Sequence, residues 1–341
     1  MTAELHVASI RRISEILATM RAPGSPLRSM LSADVTDPPR VPAPASIELA
    51  DPAVVAAHVR NGLLRDIRGG VVPNMPDGQD ESQHSGEILR VAADLVAHAR
   101  GDFVLSHATA AHLHGAWTYA TPALVHVTHE FHPHVARRAE PQVRRHHTRL
   151  RPSERTVVHG VPVTSPERTL VDCLRTLPAP GALVVADSLF RRGADPDEVS
   201  RIMSASRGKR GMLQARRLFD VCDPRSASPG ETVARLVAID GGLPRPECQM
   251  EVRTASATRF VDFGWPDVGL GVEFDGEIKY SGGEYGDPQD VSRNQQLRHD
   301  EIAATGVAII RAGWRDLADP LTLGRRMTLT YYTARGARNL A

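Results

Sequence analysis

The segment GVEFDGEIKY, residues 271–280, concentrates more reactive side chains than any other stretch of the chain. In an extended strand alternate side chains share a face. Val272, Phe274 and Ile278 then fall on one side, and Glu273, Asp275, Glu277 and Lys279 on the other. Three carboxylates spaced about 7 Å apart along a strand repel one another unless a cation sits among them. Asp262, on the strand before, faces the same place across a hairpin. Hard divalent cations such as Mg²⁺ or Mn²⁺ take carboxylate oxygens and keep several waters. A bound ion of this kind makes hydroxide from water and steadies charge on a phosphate in transfer. A nearby lysine orients the water or offsets the charge. These are the parts of an endonuclease. The same alternation also describes a half-solvated sheet edge, so spacing alone leaves both readings open. The apolar run VGLGV ahead of Glu273 favours a buried strand.

The elements that hold these residues belong to a chain of 341 residues, long enough for two or three domains. The net charge of +1 argues against a globally basic nucleic-acid binder, but two basic patches stand out. Seven arginines lie at 137, 138, 144, 145, 149, 151 and 155, against Glu140 and Glu154. Residues 200–217 hold six cations and no acid. Of 41 basic residues only Lys209 and Lys279 are lysine. Arg137, Arg138, Arg144, Arg145, Arg149, Arg151, Lys209 and Arg210 fit contacts to a DNA backbone, which position a protein without reading bases; a solvated surface explains the same charges. Three scattered cysteines make neither a disulfide framework nor a metal pair. No apolar run reaches membrane length, no secretory leader is legible and no Walker-type phosphate loop is present. A cytoplasmic protein without ATP chemistry is expected.

Residues 1–20 read as an amphipathic helix and 21–52, with seven prolines, as a connector. Residues 53–84 read as a helix, a small two-stranded ribbon turning at Gly69-Gly70 and a polar linker, the end of a diverged winged helix. Residues 85–222 alternate strands and helices, with Ser165 capping a helix that Pro166 opens. Residues 228–341 give helix, three strands, helix, strand, helix, and Ser228 with Glu231 fits a capping box. The whole is a mixed α/β (α+β) multidomain chain. Nine histidines lie between His107 and His147, at irregular spacing and without cysteine partners. A closed zinc site is not expected of them, and His107 and His112 are expected to cap and pack.

VDFGWPDVGLGVEFDGEIKY, followed by a helix and GVAIIRAGWRDL, resembles the very-short-patch-repair (Vsr)-like branch of the PD-(D/E)xK endonucleases. That resemblance implies a restriction-endonuclease-like three-layer core. Asp262 and Glu273 would be metal ligands, Asp275 a third ligand or base, Lys279 the lysine at the water, and Glu231 and Glu277 accessory. Asp275 stands where many members carry lysine. HVRNGLLRDIRGGVV, FVLSHATAAHLHG and VPVTSPERTLVDCLRTL look like the AbiEi-type antitoxins of abortive infection, which resemble DNA-binding repressors of their own operon and imply a cognate toxin. Two functions are therefore expected: a Mg²⁺-dependent endonuclease acting on DNA or, in the alternative, a non-catalytic antitoxin that binds DNA.

Overall fold

The computed structural model describes residues 8, 11–16, 18, 64–67, 70–73, 95, 103–119, 124–130, 143–158, 160–275, 297–298 and 300–338. Two compact units divide the chain, Met1–Cys222 and Asp223–Ala341. Among the described residues no helix is long and apolar enough to cross a membrane.

In the first unit, β1 (Leu64–Ile67) and β2 (Gly70–Pro73) pair as an antiparallel hairpin. A mixed five-stranded sheet follows. Its strands are β3 (Val104–Leu105), β4 (Val125–His129), β5 (Val143–His147), β6 (Arg155–Val158) and β7 (Val161–Thr164), in the spatial order β5-β4-β3-β7-β6. The alternating valines of β4 and β7 explain which face is covered: Leu105, Val125, Val127 and Val163 are buried together with Ala110 of α1 (His107–Leu113). Among the described residues four helices follow the sheet in sequence: α2 (Pro166–Thr176), α3 (Ala179–Arg191), α4 (Pro196–Ala205) and α5 (Met212–Val221). The Ser165 hydroxyl accepts the N–H of Arg168, so the cap expected at the start of α2 is present. Helix α3 is buried from Ala182 to Arg191, and its Phe190 meets Phe219 of α5 at 5.9 Å between ring centroids. Each such buried side chain contributes about 1.5–3 kcal/mol. Strand β6, which pairs antiparallel with the expected strand at VPVT, has no counterpart in the sequence reading.

In the second unit, α6 (Pro229–Asp240) precedes a mixed four-stranded sheet, followed by α7 (Trp314–Ala318) and α8 (Pro320–Arg338). The strands are β8 (Glu247–Arg253), β9 (Thr258–Trp265), β10 (Leu270–Asp275) and β11 (Ala308–Gly313). Strand β10 is interior, antiparallel to β9 and parallel to β11. One face covers Met250, Val252 and Val261 with Ile302. Helix α6 lies close over the sheet, where a Cβ on Gly230 would fall 2.0 Å from the Phe274 ring. Cys173, Cys222 and Cys248 are free and buried.

Candidate functional site

Strands β4 and β5 run parallel with His126 opposite Arg144 and Thr128 opposite His146. Side chains at 126 and 128 therefore share a face with those at 144 and 146. Over that face sits the first residue of α1. His107 is 2% exposed and has φ 55°, a left-handed conformation that non-glycine residues seldom adopt. The three imidazoles meet. His107 stacks on His146 with centroids 3.5 Å apart, and His146 Nε2 lies 3.1 Å from His126 Nδ1. His107 Nδ1 lies 2.9 Å from Ser106 Oγ, which accepts a hydrogen bond from Thr128 Oγ1 at 2.8 Å. Among the described residues, this trio is the one group of three or more His, Cys, Asp or Glu side chains whose ligand atoms all lie within 4.8 Å of one another. The irregular sequence spacing hid it, because the trio forms through the parallel β4–β5 register rather than along one element.

Burial dominates the protonation of all three. It lowers His107 to about 3, with Asp172 opposing and His146, His126 and Arg168 adding to the fall. Burial likewise lowers His126 and His146 to about 4, assisted at His126 by His146 and at both by Arg144. The trio is neutral at pH 7.

Next to it lies a buried ion network on α2, made by residues spaced three and four apart. Arg168 grips Asp172 with two hydrogen bonds, 2.8 and 3.1 Å, and reaches Glu154 at 3.0 Å. Arg175 adds a third bond to Asp172 at 3.1 Å. Burial by itself would raise the Asp172 carboxyl. His107, Arg168 and Arg175 hold it below its usual range instead, and with His107 neutral the two guanidiniums carry that effect. The Arg175 guanidinium also donates to the carbonyl of Arg210, just before Gly211 caps α5 with φ 82°. A Cβ at Gly211 would lie 2.0 Å from the Arg175 carbonyl oxygen. Gly211→Ala is therefore expected to destabilise the protein by about 3 kcal/mol. Gly208→Ala, at φ 79° with open space around it, is expected to cost about 1 kcal/mol. Urea midpoints for the two variants check this, and equal midpoints would contradict it.

Beyond Glu154 and Arg168 opens a groove of about 720 Å³. Arg149, Arg151, Arg155, Arg168 and Lys209 line it against Glu130 and Glu154. Arg155 pairs with Glu130, and Lys209 donates to Thr148 Oγ1 at 2.9 Å. Partial burial lowers the Lys209 ammonium, and Arg168 and Arg175 lower it further. A bound anion would reverse that. Of the eight cations expected to face DNA, Arg149, Arg151 and Lys209 come together here. Arg144 is exposed beside the histidines, Arg145 alternates to the other side of β5, and the Arg210 carbonyl is engaged by Arg175. Arg137 and Arg138 lie outside the described residues.

In the second unit the β9–β10 pairing ends at Val272 opposite Phe263. Continued by one step, that register would set Glu273 opposite Asp262. There Asp262 Oδ2 accepts the N–H of Phe274 at 2.7 Å. On β8, Gln249 lies between the pairs Cys248–Phe263 and Met250–Val261, alongside Asp262, with φ 52°. Its amide reaches Glu231 Oε2 at 3.5 Å. Glu231 also accepts the N–H of Ala227, one residue before the Ser228 cap, while Ser228 Oγ accepts the Glu231 N–H. Arg298 Nη2 lies 3.0 Å from Glu273 Oε1. Asp275 ends β10 exposed, opposite Gly313. Glu277 and Lys279 lie outside the described residues.

Residues 102–221 match the AbiEi antitoxin C-terminal domain. The histidine trio, the Arg168–Asp172 network and the groove all fall inside that segment, and the second unit falls outside it. Two curated proteins of Mycobacterium tuberculosis, strains CDC 1551 / Oshkosh and ATCC 25618 / H37Rv, are similar to this chain. Both are uncharacterized, and each is 33% identical over 175 residues. The matched region is 48% of this chain and 64% of either relative, so this chain spans just under two thirds of their length. No solved structure matches.

Proposed function

We propose that this chain is an antitoxin-type protein that acts in the cytoplasm by binding a cognate toxin through the domain at 102–221. The observation that carries this is the match of that segment to the AbiEi antitoxin C-terminal domain. The cationic groove supports it: five cations against two carboxylates suit an acidic partner surface or phosphates. Because AbiEi-type antitoxins regulate their own operon, the expected partner is the protein encoded beside this chain. DNA is the expected second ligand, with the winged-helix-like remnant expected from the sequence at 53–84 as its reader. The test is co-purification of the tagged full-length chain with that neighbour. A stable complex is expected, and Arg149→Glu with Arg151→Glu should weaken it at least about tenfold. A wild-type chain that elutes alone would overturn the reading.

A second reading keeps the endonuclease for the second unit, with a restriction-endonuclease-like core. The contact of Gln249 with Glu231, and the placing of Asp262 and the Glu273–Phe274 segment on adjacent strands, favour it. Asp262 and Glu273 would hold Mg²⁺ or Mn²⁺, which would supply hydroxide for attack on a phosphodiester. Its test is plasmid nicking with either ion beside Asp262→Ala and Glu273→Ala. Loss of cleavage in both variants supports it, and intact plasmid with the wild-type chain rejects it.

A further inference from the structure

We propose that His107, His126 and His146 form a binding site for a divalent transition metal of the Zn²⁺ class. The inference stands apart from toxin binding and needs only the geometry of the first unit. Three ligand side chains come from three separate elements: the start of α1, β4 and β5. Parallel hydrogen bonding fixes β4 against β5, so the frame is set before any ion arrives. His146 Nε2 and His126 Nδ1 lie 3.1 Å apart. Two nitrogens bound to one tetrahedral ion at 2.0–2.1 Å sit about 3.3 Å apart, so the existing spacing is already near that of a shared metal.

The third ligand is held by its neighbours. The Ser106 hydroxyl is fixed by Thr128 and meets His107 Nδ1, which leaves His107 Nε2 as the nitrogen for the ion. Metal-binding histidines in general have their second nitrogen held in this way. The left-handed backbone at His107 is a cost that a helix start does not require. It places the ring directly over His146. In the stacked arrangement His107 must turn about its broad outer torsion to aim at the ion. Asp172, fully buried beside His107 and His146, supplies negative charge behind the site. Imidazoles without thiolates or carboxylates select Zn²⁺, Ni²⁺ or Cu²⁺ over Mg²⁺. Three protein ligands leave a fourth position for water or for a partner side chain.

The test is Co²⁺ titration of chelator-stripped full-length protein, followed by visible absorption. One saturable equivalent is expected, displaced by Zn²⁺ and untouched by Mg²⁺. His126→Ala and His146→Ala should weaken it by about a hundredfold or more, and Ser106→Ala by about tenfold. His114→Ala, whose ring bonds the Thr164 carbonyl instead, should leave it unchanged. Circular dichroism confirms that each variant is folded, and His146→Gln replaces His146→Ala if the latter is not. Folded His126 and His146 variants that bind Co²⁺ as the wild type does would overturn the proposal, as would a wild type without a saturable band.

Discussion

Asp172→Asn is expected to lower the stability of the first unit by about 3–5 kcal/mol. Asp172 is wholly buried and receives three guanidinium hydrogen bonds, two from Arg168 and one from Arg175. Neutralising it leaves Arg168, itself 3% exposed, with Glu154 as its remaining counter-charge. Breaking one partner of a buried pair costs more than the pair is worth, because the other charge stays desolvated. A hydrophobic double replacement, Arg168→Met with Asp172→Leu, should therefore be less harmful than Asp172→Asn alone. Urea unfolding followed by circular dichroism measures both. An Asp172→Asn midpoint within about 1 kcal/mol of wild type, or a double variant worse than the single, would contradict the role given to the network.

Acid is expected to begin weakening the first unit above the pH range in which carboxylates ordinarily titrate. In chelator-treated protein His107 has its pKa lowered to about 3, and His126 and His146 to about 4, against 6.5 for a free imidazole. Folded pKa values below the unfolded one mean that the unfolded chain takes up protons first. The stability is whole above pH 6.5 and is lost as pH falls toward 4. At about 1.4 kcal/mol per pH unit, His107 alone withdraws on the order of 4 kcal/mol by pH 3.5. The half-buried His126 and His146 add less per group because solvent screens them. Asp172 opposes the loss by favouring imidazolium, while Arg144, Arg168, Arg175 and His147 reinforce it. Burial lowers His114 as well, with the same sign. Thermal unfolding from pH 7 to pH 4 reads the effect. A midpoint that stays flat between pH 6.5 and pH 4.5 would contradict it.

The order of strands and helices was largely legible because it rests on local signals. Ser165-Pro166 and Ser228-Pro229 announce helix starts, and the alternating valines of ALVHVTH and VPVT announce strands. Strand β6 was not legible: Arg155–Val158 is four residues with a single exposed valine between half-buried neighbours, and it pairs only because Gly160, at φ 78°, turns the chain back. The arginines at 149 and 151 and Lys209 were visible as charge, but not that the chain folds residues sixty apart onto one groove. The histidine trio was the least legible. Its members share no helix face and no single strand, and only the β4–β5 register with the unusual backbone at His107 joins them. Residues 262 and 273 were placed on neighbouring strands by alternation alone. The hydrogen bond from Phe274 N–H to Asp262, which ends the β9–β10 ladder there, has no sequence signature.

The most direct measurement of the antitoxin reading is growth of cells expressing the neighbouring operon product with and without this chain. The operon product alone should arrest growth, and the full-length wild-type chain should restore it. The Arg149→Glu, Arg151→Glu variant, equally expressed and folded, should fail to restore it. Growth that stays arrested in the presence of well-expressed wild-type chain would contradict the antitoxin role.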